Sequence, residues 1–273
     1  MGSEFININK LRVCSYNCKN IQTSIGIVQD LCSHHDVILL QEHWLCKDDL
    51  SSLAIIHTDF AGHGISAMEN DKLLTGRPYG GVAILWRKSL GVIYKVLDFD
   101  DSRITGIQFD FDSNPVIFLS VYLPYECSDN FDEYMHYISR IGDIIESSSS
   151  PYIYVSGDYN ANLSCTSVFG SELLSLCDQN NMVISDHILL NSDTYTFVSG
   201  VYGSTSWLDH CVTTYAGHHN VSDVKVLLDV VGSDHLPLSF NVQKDLVIKH
   251  NDGGSHFVKK HKWDTVTAGD LTL

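Results

Sequence analysis

A polar cluster follows the most strand-like run of the sequence, and its residue types could do chemistry. From Tyr152 the chain alternates aromatic and β-branched residues, as a buried strand does, and we expect this strand to break at Gly157. Side chains at i and i+2 of an extended segment point the same way, so Asp158 and Asn160 are predicted to address one ligand atom, such as a water or phosphate oxygen. An Asx turn, in which both side chains bond their own backbone, is the alternative that this stretch leaves open.

Other polar side chains stand at or near the ends of further predicted strands. They are Asn17 after the first strand, Glu42 after the second, Asp209 in the strand Trp207–Val212, and Asp234 with His235 before the last strand. Each also fits a purely structural role, such as a surface pair for Asp209 with His210 or a turn for Asp234. Together they supply what Mg²⁺-assisted chemistry on a phosphodiester needs: hard oxygen ligands, a group that orients water, and a carboxylate-supported imidazole for the phosphate.

Hydrophobic periodicity places these residues on many strands and few helices. Strands are predicted at 11–17, 36–41, 81–86, 92–99, 104–111, 116–123, 152–156, 194–198, 206–212, 224–231 and 236–242, and helices at 23–34, 130–147 and 171–180. The long strand-rich run without a helix favours a mainly antiparallel or mixed sheet.

Length and composition indicate one large α/β domain with tails. The chain has 273 residues, 44% of them hydrophobic, which is enough to bury a full core. Residues 1–5 are interpreted as expression-vector sequence, 6–245 as the folded domain, and 246–273 as a linker segment. The linker carries the basic run Lys259-Lys260-His261-Lys262, which we interpret as a short solvated stretch.

Cysteine spacing, apolar runs and net charge bear on compartment and partners. The eight cysteines stand singly without a CxxC pair, so we expect reduced, mostly buried thiols in a reducing compartment. No apolar run approaches the roughly 18 residues that span a bilayer, so neither a membrane anchor nor a secretory leader is expected. The net charge of −16 argues against a broad basic surface for nucleic acid, although divalent cations could supply positive charge at the site.

Six short motifs, in order along residues 11 to about 242, resemble those of the endonuclease/exonuclease/phosphatase superfamily. They are Ser15-Tyr16-Asn17, Gln41-Glu42, Val121-Tyr122-Leu123-Pro124, Gly157-Asp158-Tyr159-Asn160-Ala161, Trp207-Leu208-Asp209-His210 and Ser233-Asp234-His235. The resemblance implies a deoxyribonuclease I-like α/β fold. In that fold two mixed β-sheets pack face to face in a four-layered sandwich, with helices outside and the site at one end of the sheets.

Within the superfamily the chain is similar to the apurinic-type endonuclease domain of LINE-type non-LTR retrotransposons. The similar segments are 122–126, 195–197 ahead of 204–210, and 233–238. This implies an endonuclease that nicks double-stranded DNA with Mg²⁺, or with Mn²⁺ in its place, and leaves 3′-hydroxyl and 5′-phosphate ends. It further implies first-strand target cleavage for integration, a reverse transcriptase downstream in the parent protein, and an intracellular, nuclear site of action.

The resemblance also implies roles for the site residues. Glu42 is expected to bind the metal, with Asn17 and Asp234 near it. Asp158 is expected to activate or align the attacking water, with Asn160 beside it. Asp209 is expected to orient His235 on the scissile phosphate, while Tyr122 donates to or helps expel an oxygen.

Two alternatives stay open. The first is a phosphoesterase of another branch, which acts at abasic sites or on lipid or inositol phosphates. Inositol-polyphosphate phosphatases carry Cys-Asp-Arg where this chain has Leu208-Asp209-His210, which favours the nuclease. The second is a catalytically silent relative that serves as a binding module, and the presence of every expected catalytic residue disfavours it.

Overall fold

The computed structural model describes residues 5–68, 78–111, 114–163 and 167–249. The strands are β1 (Phe5–Asn17), β2 (Val37–Gln41), β3 (Phe60–Ile65), β4 (Val82–Arg87), β5 (Ile93–Asp98), β6 (Ile104–Phe111), β7 (Asn114–Tyr122), β8 (Tyr152–Asp158), β9 (Met182–Ile184), β10 (Phe197–Val198), β11 (Thr205–Ser206), β12 (Asp209–Thr214), β13 (Val221–Val226) and β14 (Leu238–Lys249). The α-helices are α1 (Ile21–His34), α2 (Phe131–Ser147), α3 (Val168–Gln179), α4 (Ser185–Leu189) and α5 (Tyr215–His218). Short 3-10 helices lie at Lys47–Ile55, Lys88–Leu90 and Ser128–Asn130.

The strands form two six-stranded sheets and a separate two-stranded hairpin. The first sheet has the order β13-β14-β1-β2-β4-β3, the second β5-β6-β7-β8-β12-β9, and the hairpin joins β10 to β11. In the described ranges, β1 runs parallel to β2 and β7 parallel to β8, whereas the other neighbours are antiparallel. Both sheets are therefore mixed, and the prediction of a mixed sheet is confirmed.

Alternation along the strands gives each sheet two apolar faces. In β8, Tyr154 packs between the sheets, whereas Ile153 and Val155 face the layer of α2 and α3. In β2, Leu39 lies between the sheets and Leu40 lies under α1. The layers are thus helix, sheet, sheet and helices, which is the predicted four-layered sandwich. Each large apolar side chain buried between the sheets contributes roughly 1.5–3 kcal/mol, so this layer fixes how the two sets of strand ends face each other.

Gly157 does not break its strand, contrary to the prediction from the sequence. Strand β8 continues to Asp158, and Gly157 pairs in register with Val121 of β7 and His210 of β12. A Cβ atom at this position would lie 1.9 Å from the Val121 carbonyl oxygen. The glycine therefore allows close strand approach instead of ending the strand.

Other element boundaries also differ from the prediction. The expected strand 206–212 is divided, because β11 ends at Ser206 and β12 begins at Asp209, with Trp207 buried between them. The expected strand 224–231 is found at Val221–Val226. Strands β3 and β9 were not predicted, since β3 contains two glycines and β9 has three residues, too few to show a period.

The last strand runs farther than predicted. It reaches Lys249, which pairs with Phe5 at the start of β1. Residues 250–273 of the predicted linker, including its basic run, lie outside the described residues. Among the cysteines that the structure describes, five are buried, Cys127 is half-buried and Cys46 is exposed, and all are free thiols. Within the same ranges, no helix has the length and apolar character needed to cross a membrane.

Candidate active site

The predicted site residues converge because their strands end at one edge of the sandwich. Asn17 ends β1 beside Gln41 of the parallel strand β2, and Tyr122 ends β7 beside Asp158 of the parallel strand β8. Strand β12 runs antiparallel to β8, so it begins at this edge, with Asp209 opposite Asp158. Strand β14 likewise begins at this edge, because it runs antiparallel to β1.

Asn17 joins the two sheets at the centre of the site. Its Nδ2 donates to Glu42 Oε1 at 2.9 Å and to Asp158 Oδ2 at 3.0 Å. The backbone N–H of Lys19 donates to Asn17 Oδ1 at 3.2 Å, so the whole hydrogen-bond pattern fixes which way the amide points. Asn17 is buried beside Glu42, where it was expected. It acts there as a donor between two carboxylates, because its oxygen is turned toward the backbone.

His235 bridges two buried carboxylates. Its Nδ1 lies 2.8 Å from Asp209 Oδ2, which confirms the predicted pair, and its Nε2 lies 3.6 Å from Asp158 Oδ2. The first contact is a hydrogen bond, whereas the second is too long for one, so the Nε2–H can still serve another acceptor. Burial lowers the pKa of His235, but Asp209 and Asp158 outweigh burial and raise the pKa to about 10. The imidazole therefore carries a positive charge at neutral pH.

Asp158 is the most deeply buried acid of the site, with 1% of its surface exposed. Burial raises the pKa of Asp158 to about 7, and Asp209 adds to this rise while His235 opposes it. A carboxylate with a pKa near neutrality is suited to aligning a water and accepting its proton.

The structure corrects the expectation that Asp158 and Asn160 address one ligand atom from an extended segment. The strand ends at Asp158, and Asn160 has a φ of 49°. Its backbone N–H donates to Asp158 Oδ1 at 3.0 Å, and its Nδ2 donates to the Leu123 carbonyl oxygen at 2.9 Å. The Asx turn is thus present, and Asn160 holds the Asp158 carboxylate in position.

Glu42 lies on a turn just beyond β2, with a φ of 52° that residues with side chains rarely adopt. Trp44 Nε1 donates to Glu42 Oε2 at 3.1 Å, while Asn17 bonds the other carboxylate oxygen. The backbone N–H of Asn20 donates to the Glu42 carbonyl oxygen at 2.8 Å. These bonds hold the strained turn, and they aim the carboxylate at the strand edge.

Tyr122 lies against the same acids. Burial raises its pKa well above the ordinary value, the carboxylates of Glu42 and Asp158 raise it further, and Arg103 opposes them. The Arg103 guanidinium lies 5.3 Å from the centroid of the Tyr122 ring, and its NH1 donates to the Tyr122 carbonyl oxygen at 3.2 Å. The phenol is therefore protonated at neutral pH and can donate a hydrogen bond.

Asp234 directly precedes His235, and its side chain is 23% exposed. Its carboxylate forms an ion pair with Lys19, and its backbone carbonyl accepts a hydrogen bond from the Val198 N–H at 2.8 Å. The expectation that Asp234 lies near a metal held by Glu42 stays a prediction.

Two residues that hold the site together were not predicted. Thr196 Oγ1 accepts the Asp209 backbone N–H at 3.0 Å, and its carbonyl accepts the Leu236 N–H at 2.7 Å. The Phe197 ring meets the His235 imidazole edge-on, with 5.0 Å between the ring centroids. Thr196 and Phe197 belong to the segment 195–197, which contributed to the family resemblance. Its spacing in the sequence does not show that it pairs with the segment around His235.

The oxygen donors of the site suit a hard divalent cation. Asp158, Asp209 and His235 each place one ligating atom within 4.8 Å of the others, and the Nδ1 of His235 is already hydrogen-bonded to Asp209. The carboxylates of Glu42 and Asp158, which share the Asn17 amide, form the donor set that fits. Carboxylate oxygens are the ligands that Mg²⁺ and Mn²⁺ prefer.

A four-layered α/β sandwich with acids and a charged imidazole at one edge is typical of enzymes that cleave phosphate esters. The chain matches the Endonuclease/Exonuclease/phosphatase family over residues 14–235, and it belongs to that family. The family depends on divalent metals, and the chain is a phosphodiesterase of this class. No curated protein is similar enough in sequence to count as a match.

Solved structures with the same fold include several enzymes that act on DNA. AP endonuclease LMAP from Leishmania major has a TM-score of 0.71 at 15% identity, covering 86% of this chain and 88% of that one. The endonuclease domain of TRAS1, a telomere-specific non-LTR retrotransposon, has a TM-score of 0.62 at 17% identity, covering 85% and 98%. The 3′ phosphatase NExo from Neisseria, bound to a product DNA hairpin, has a TM-score of 0.63 at 18% identity, covering 86% and 100%. At these identities the likeness establishes the shared fold.

Proposed function

We propose that the protein is a Mg²⁺-dependent DNA endonuclease that nicks one strand of a duplex and leaves 3′-hydroxyl and 5′-phosphate ends. The observation that carries the proposal is one row of contacts across both sheets, from Glu42 through Asn17 and Asp158 to His235 and Asp209. The row begins with a carboxylate suited to a cation and ends with the charged His235 imidazole paired to Asp209. With a cation held by Glu42, a phosphodiester between the two ends would meet positive charge from both sides, which would stabilise the charge of the transition state.

The members of the row have distinct tasks. Glu42 with Asp158 would hold a divalent cation, and such a cation would supply positive charge to the phosphate. Asp158 aligns the attacking water and accepts its proton, while Asn160 holds this carboxylate in place. His235, oriented by Asp209, offers its Nε2–H to a non-bridging oxygen.

Tyr122 lies beside this row and completes the proposed chemistry. Its protonated phenol, near the Glu42 and Asp158 carboxylates, donates a hydrogen bond to the leaving oxygen, which takes its proton from solvent. Asn17 holds the Glu42 and Asp158 carboxylates together, and Asp234 forms an ion pair with Lys19.

The substrate follows from where the phosphates lie. A phosphodiester is on the outside of the double helix, so nicking requires no base to leave the stack. The β10–β11 hairpin beside His235 has Val201 and Tyr202 near its tip, which are 83% and 86% exposed. We infer that target preference comes from DNA shape read by this hairpin and neighbouring loops.

The fold shared with the TRAS1 endonuclease domain, together with the sequence motifs, supports a role in first-strand target cleavage during retrotransposon integration. In this role the parent protein carries a reverse transcriptase downstream, and the domain works in the nucleus.

The test is nicking of supercoiled plasmid DNA with Mg²⁺, with Mn²⁺ and with chelator. Metal-dependent conversion to nicked circles is expected for the wild type. Glu42→Gln should abolish it, because the amide keeps the shape and loses the charge that holds a hard cation. Glu146→Gln on the exposed face of α2 is the matched control and should nick like the wild type.

Two further substrates separate the alternatives. Cleavage confined to a duplex with an abasic site would assign the protein to repair, and phosphate release from an inositol phosphate without nicking would assign it to the phosphatase branch. Glu42→Gln that nicks like the wild type would remove Glu42 from the metal site.

A further inference from the structure

The turn after β1 carries a lysine toward the site on a strained backbone. Lys19 and Asn20 have φ values of 42° and 90°, in the region that costs free energy for residues with side chains. The turn is held nonetheless, because the Asn20 N–H donates to the Glu42 carbonyl at 2.8 Å and the Ile21 N–H to the His43 carbonyl at 3.1 Å. Asn20 also begins α1, with its Oδ1 accepting the Gln22 N–H at 3.0 Å. These bonds fix the direction in which the Lys19 side chain leaves the backbone.

The Lys19 side chain ends among residues of the site. Its ammonium forms an ion pair with Asp234, which is 215 positions away in sequence and directly precedes His235. The Lys19 backbone N–H orients Asn17, the amide shared by Glu42 and Asp158. Lys19 is therefore tied to both halves of the proposed catalytic row.

Lys19 keeps donors for a ligand. An ammonium has three N–H groups, and Asp234 is its one hydrogen-bond acceptor in the described ranges. The Lys19 side chain is 42% exposed and the Asp234 side chain 23% exposed. A group that arrives from solvent can reach the ammonium without displacing buried structure.

The negative charge of the site means that DNA can approach it only where cations neutralise phosphates. The site contains the carboxylates of Glu42, Asp158, Asp209 and Asp234, and the whole chain has a net charge of −16. A DNA backbone that approaches such an edge is repelled unless cations near it neutralise individual phosphates. His235 is only 6% exposed, whereas Lys19 is an accessible cation of the same edge.

We propose that Lys19 binds a DNA backbone phosphate next to the phosphodiester that is cleaved. Asp234 is the positioning residue that holds the ammonium over the site. This inference rests on the proposed endonuclease function and adds a DNA-contacting residue to it.

The test measures the affinity for a short duplex across a salt series at constant Mg²⁺, in an Asp158→Ala background that does not cleave. Log affinity falls with log salt by about 0.9 per phosphate neutralised, so Lys19→Met should make this fall less steep by about 0.9. Lys19→Arg keeps the charge and should keep the slope. Lys88→Met is the matched control, since Lys88 follows β4 at the end of the sheet opposite the site and bonds the Thr58 carbonyl.

The outcomes separate this inference from the proposed function. A structural role for the ion pair would change the melting temperature of Lys19→Met and leave the salt slope unchanged, and that result would overturn the inference. Wild-type plasmid nicking together with an unchanged Lys19→Met slope would reject Lys19 alone. Both proposals would be rejected if the Asp158→Ala protein does not bind the duplex and the wild type does not nick the plasmid.

Discussion

His235 and His210 are two buried histidines with nearly the same first contact and different second contacts. Nδ1 of His235 lies 2.8 Å from an Asp209 oxygen, and Nδ1 of His210 lies 2.9 Å from an Asp186 oxygen. In both, carboxylates outweigh burial and raise the pKa of the imidazole. The Nε2–H of His210 donates to the Ala161 carbonyl oxygen at 2.8 Å, whereas Nε2 of His235 lies 3.6 Å from its nearest carboxylate.

The difference separates a structural histidine from a candidate catalytic one. His210 uses both N–H groups inside the protein, so it holds β12 to α4 and to the segment after β8. His235 has one N–H that is not fully used, at the edge where the strand ends meet. Asp209 and His210 are adjacent in β12, and successive side chains of a strand point to opposite faces, so one serves the site and the other the interior.

The largest loss of activity is expected from His235→Asn, which tests the proposed catalytic role of His235. The Asn amide can replace the Nδ1–H donor to Asp209, but it removes the Nε2–H proposed to contact the phosphate. Plasmid nicking should fall by about 10²–10³-fold, the usual loss for one donor to a developing negative charge. Circular dichroism checks that the variant is folded, and nicking within tenfold of the wild type would contradict the assignment.

His210→Asn is the matched substitution, and we expect it to affect stability instead. It keeps a donor toward Asp186, but it removes the positive charge and leaves the Ala161 carbonyl without its partner. The free energy of unfolding should fall by about 3–5 kcal/mol, as when one member of a buried ion pair is lost. Denaturant unfolding measures this change. Nicking per folded molecule should stay within a few-fold of the wild type. A specific loss of activity would contradict the structural role assigned to His210.

A double-mutant cycle tests whether Asp209 acts through His235. Asp209→Asn should reduce nicking by about 10–100-fold in the wild type, as loss of an orienting partner does, and by much less in the His235→Asn background. Glu146→Gln provides an uncoupled control, and its effect should be the same in both backgrounds. Equal losses from Asp209→Asn in both backgrounds would show that the two residues act separately.

The smallest effect concerns the pH dependence of stability in the presence of chelator. The pKa values of Asp158, about 7, and His235, about 10, lie above the ordinary values of 3.8 and 6.5. Each group therefore contributes stability that is complete below its ordinary pKa and is lost as the pH rises through the raised value. The free energy of unfolding should decline between pH 7 and pH 10, with a slope of at most about 1.4 kcal/mol per pH unit for one proton. His235→Asn should flatten this decline, and an unchanged slope would show that His235 does not carry it.

The sandwich and the site at one end of its sheets were implied by the family resemblance, because periodicity alone predicted only a mainly antiparallel or mixed sheet. Within one sheet, parallel strands end at the same edge, so Asn17 and Glu42 lie together at the ends of β1 and β2, whereas Asp158 meets them from the other sheet. The Asp209–His235 pair also follows from two motifs that the family resemblance joins.

The features that escaped prediction depend on distant partners. The sequence offered His210 only a surface pair with Asp209 as an alternative, whereas Asp186, 24 positions away, makes it part of a buried ion pair. The Lys19 contact with Asp234 crosses 215 positions, and the Asx turn at Asn160 was one of two open alternatives. Hydrophobic period and local propensity carry no information on such contacts, because tertiary packing decides them.

The most direct test of the central claim is to follow nicking of one supercoiled plasmid by the wild type, His210→Asn and His235→Asn with excess enzyme, and then to add DNA ligase. We expect Mg²⁺-dependent nicks from the wild type and His210→Asn that ligase reseals to covalently closed circles, because 3′-hydroxyl and 5′-phosphate ends are its substrates. His235→Asn should leave the plasmid supercoiled over the same time. Nicks that form in chelator, that ligase cannot reseal, or that His235→Asn makes as fast as the wild type would contradict the proposed endonuclease mechanism.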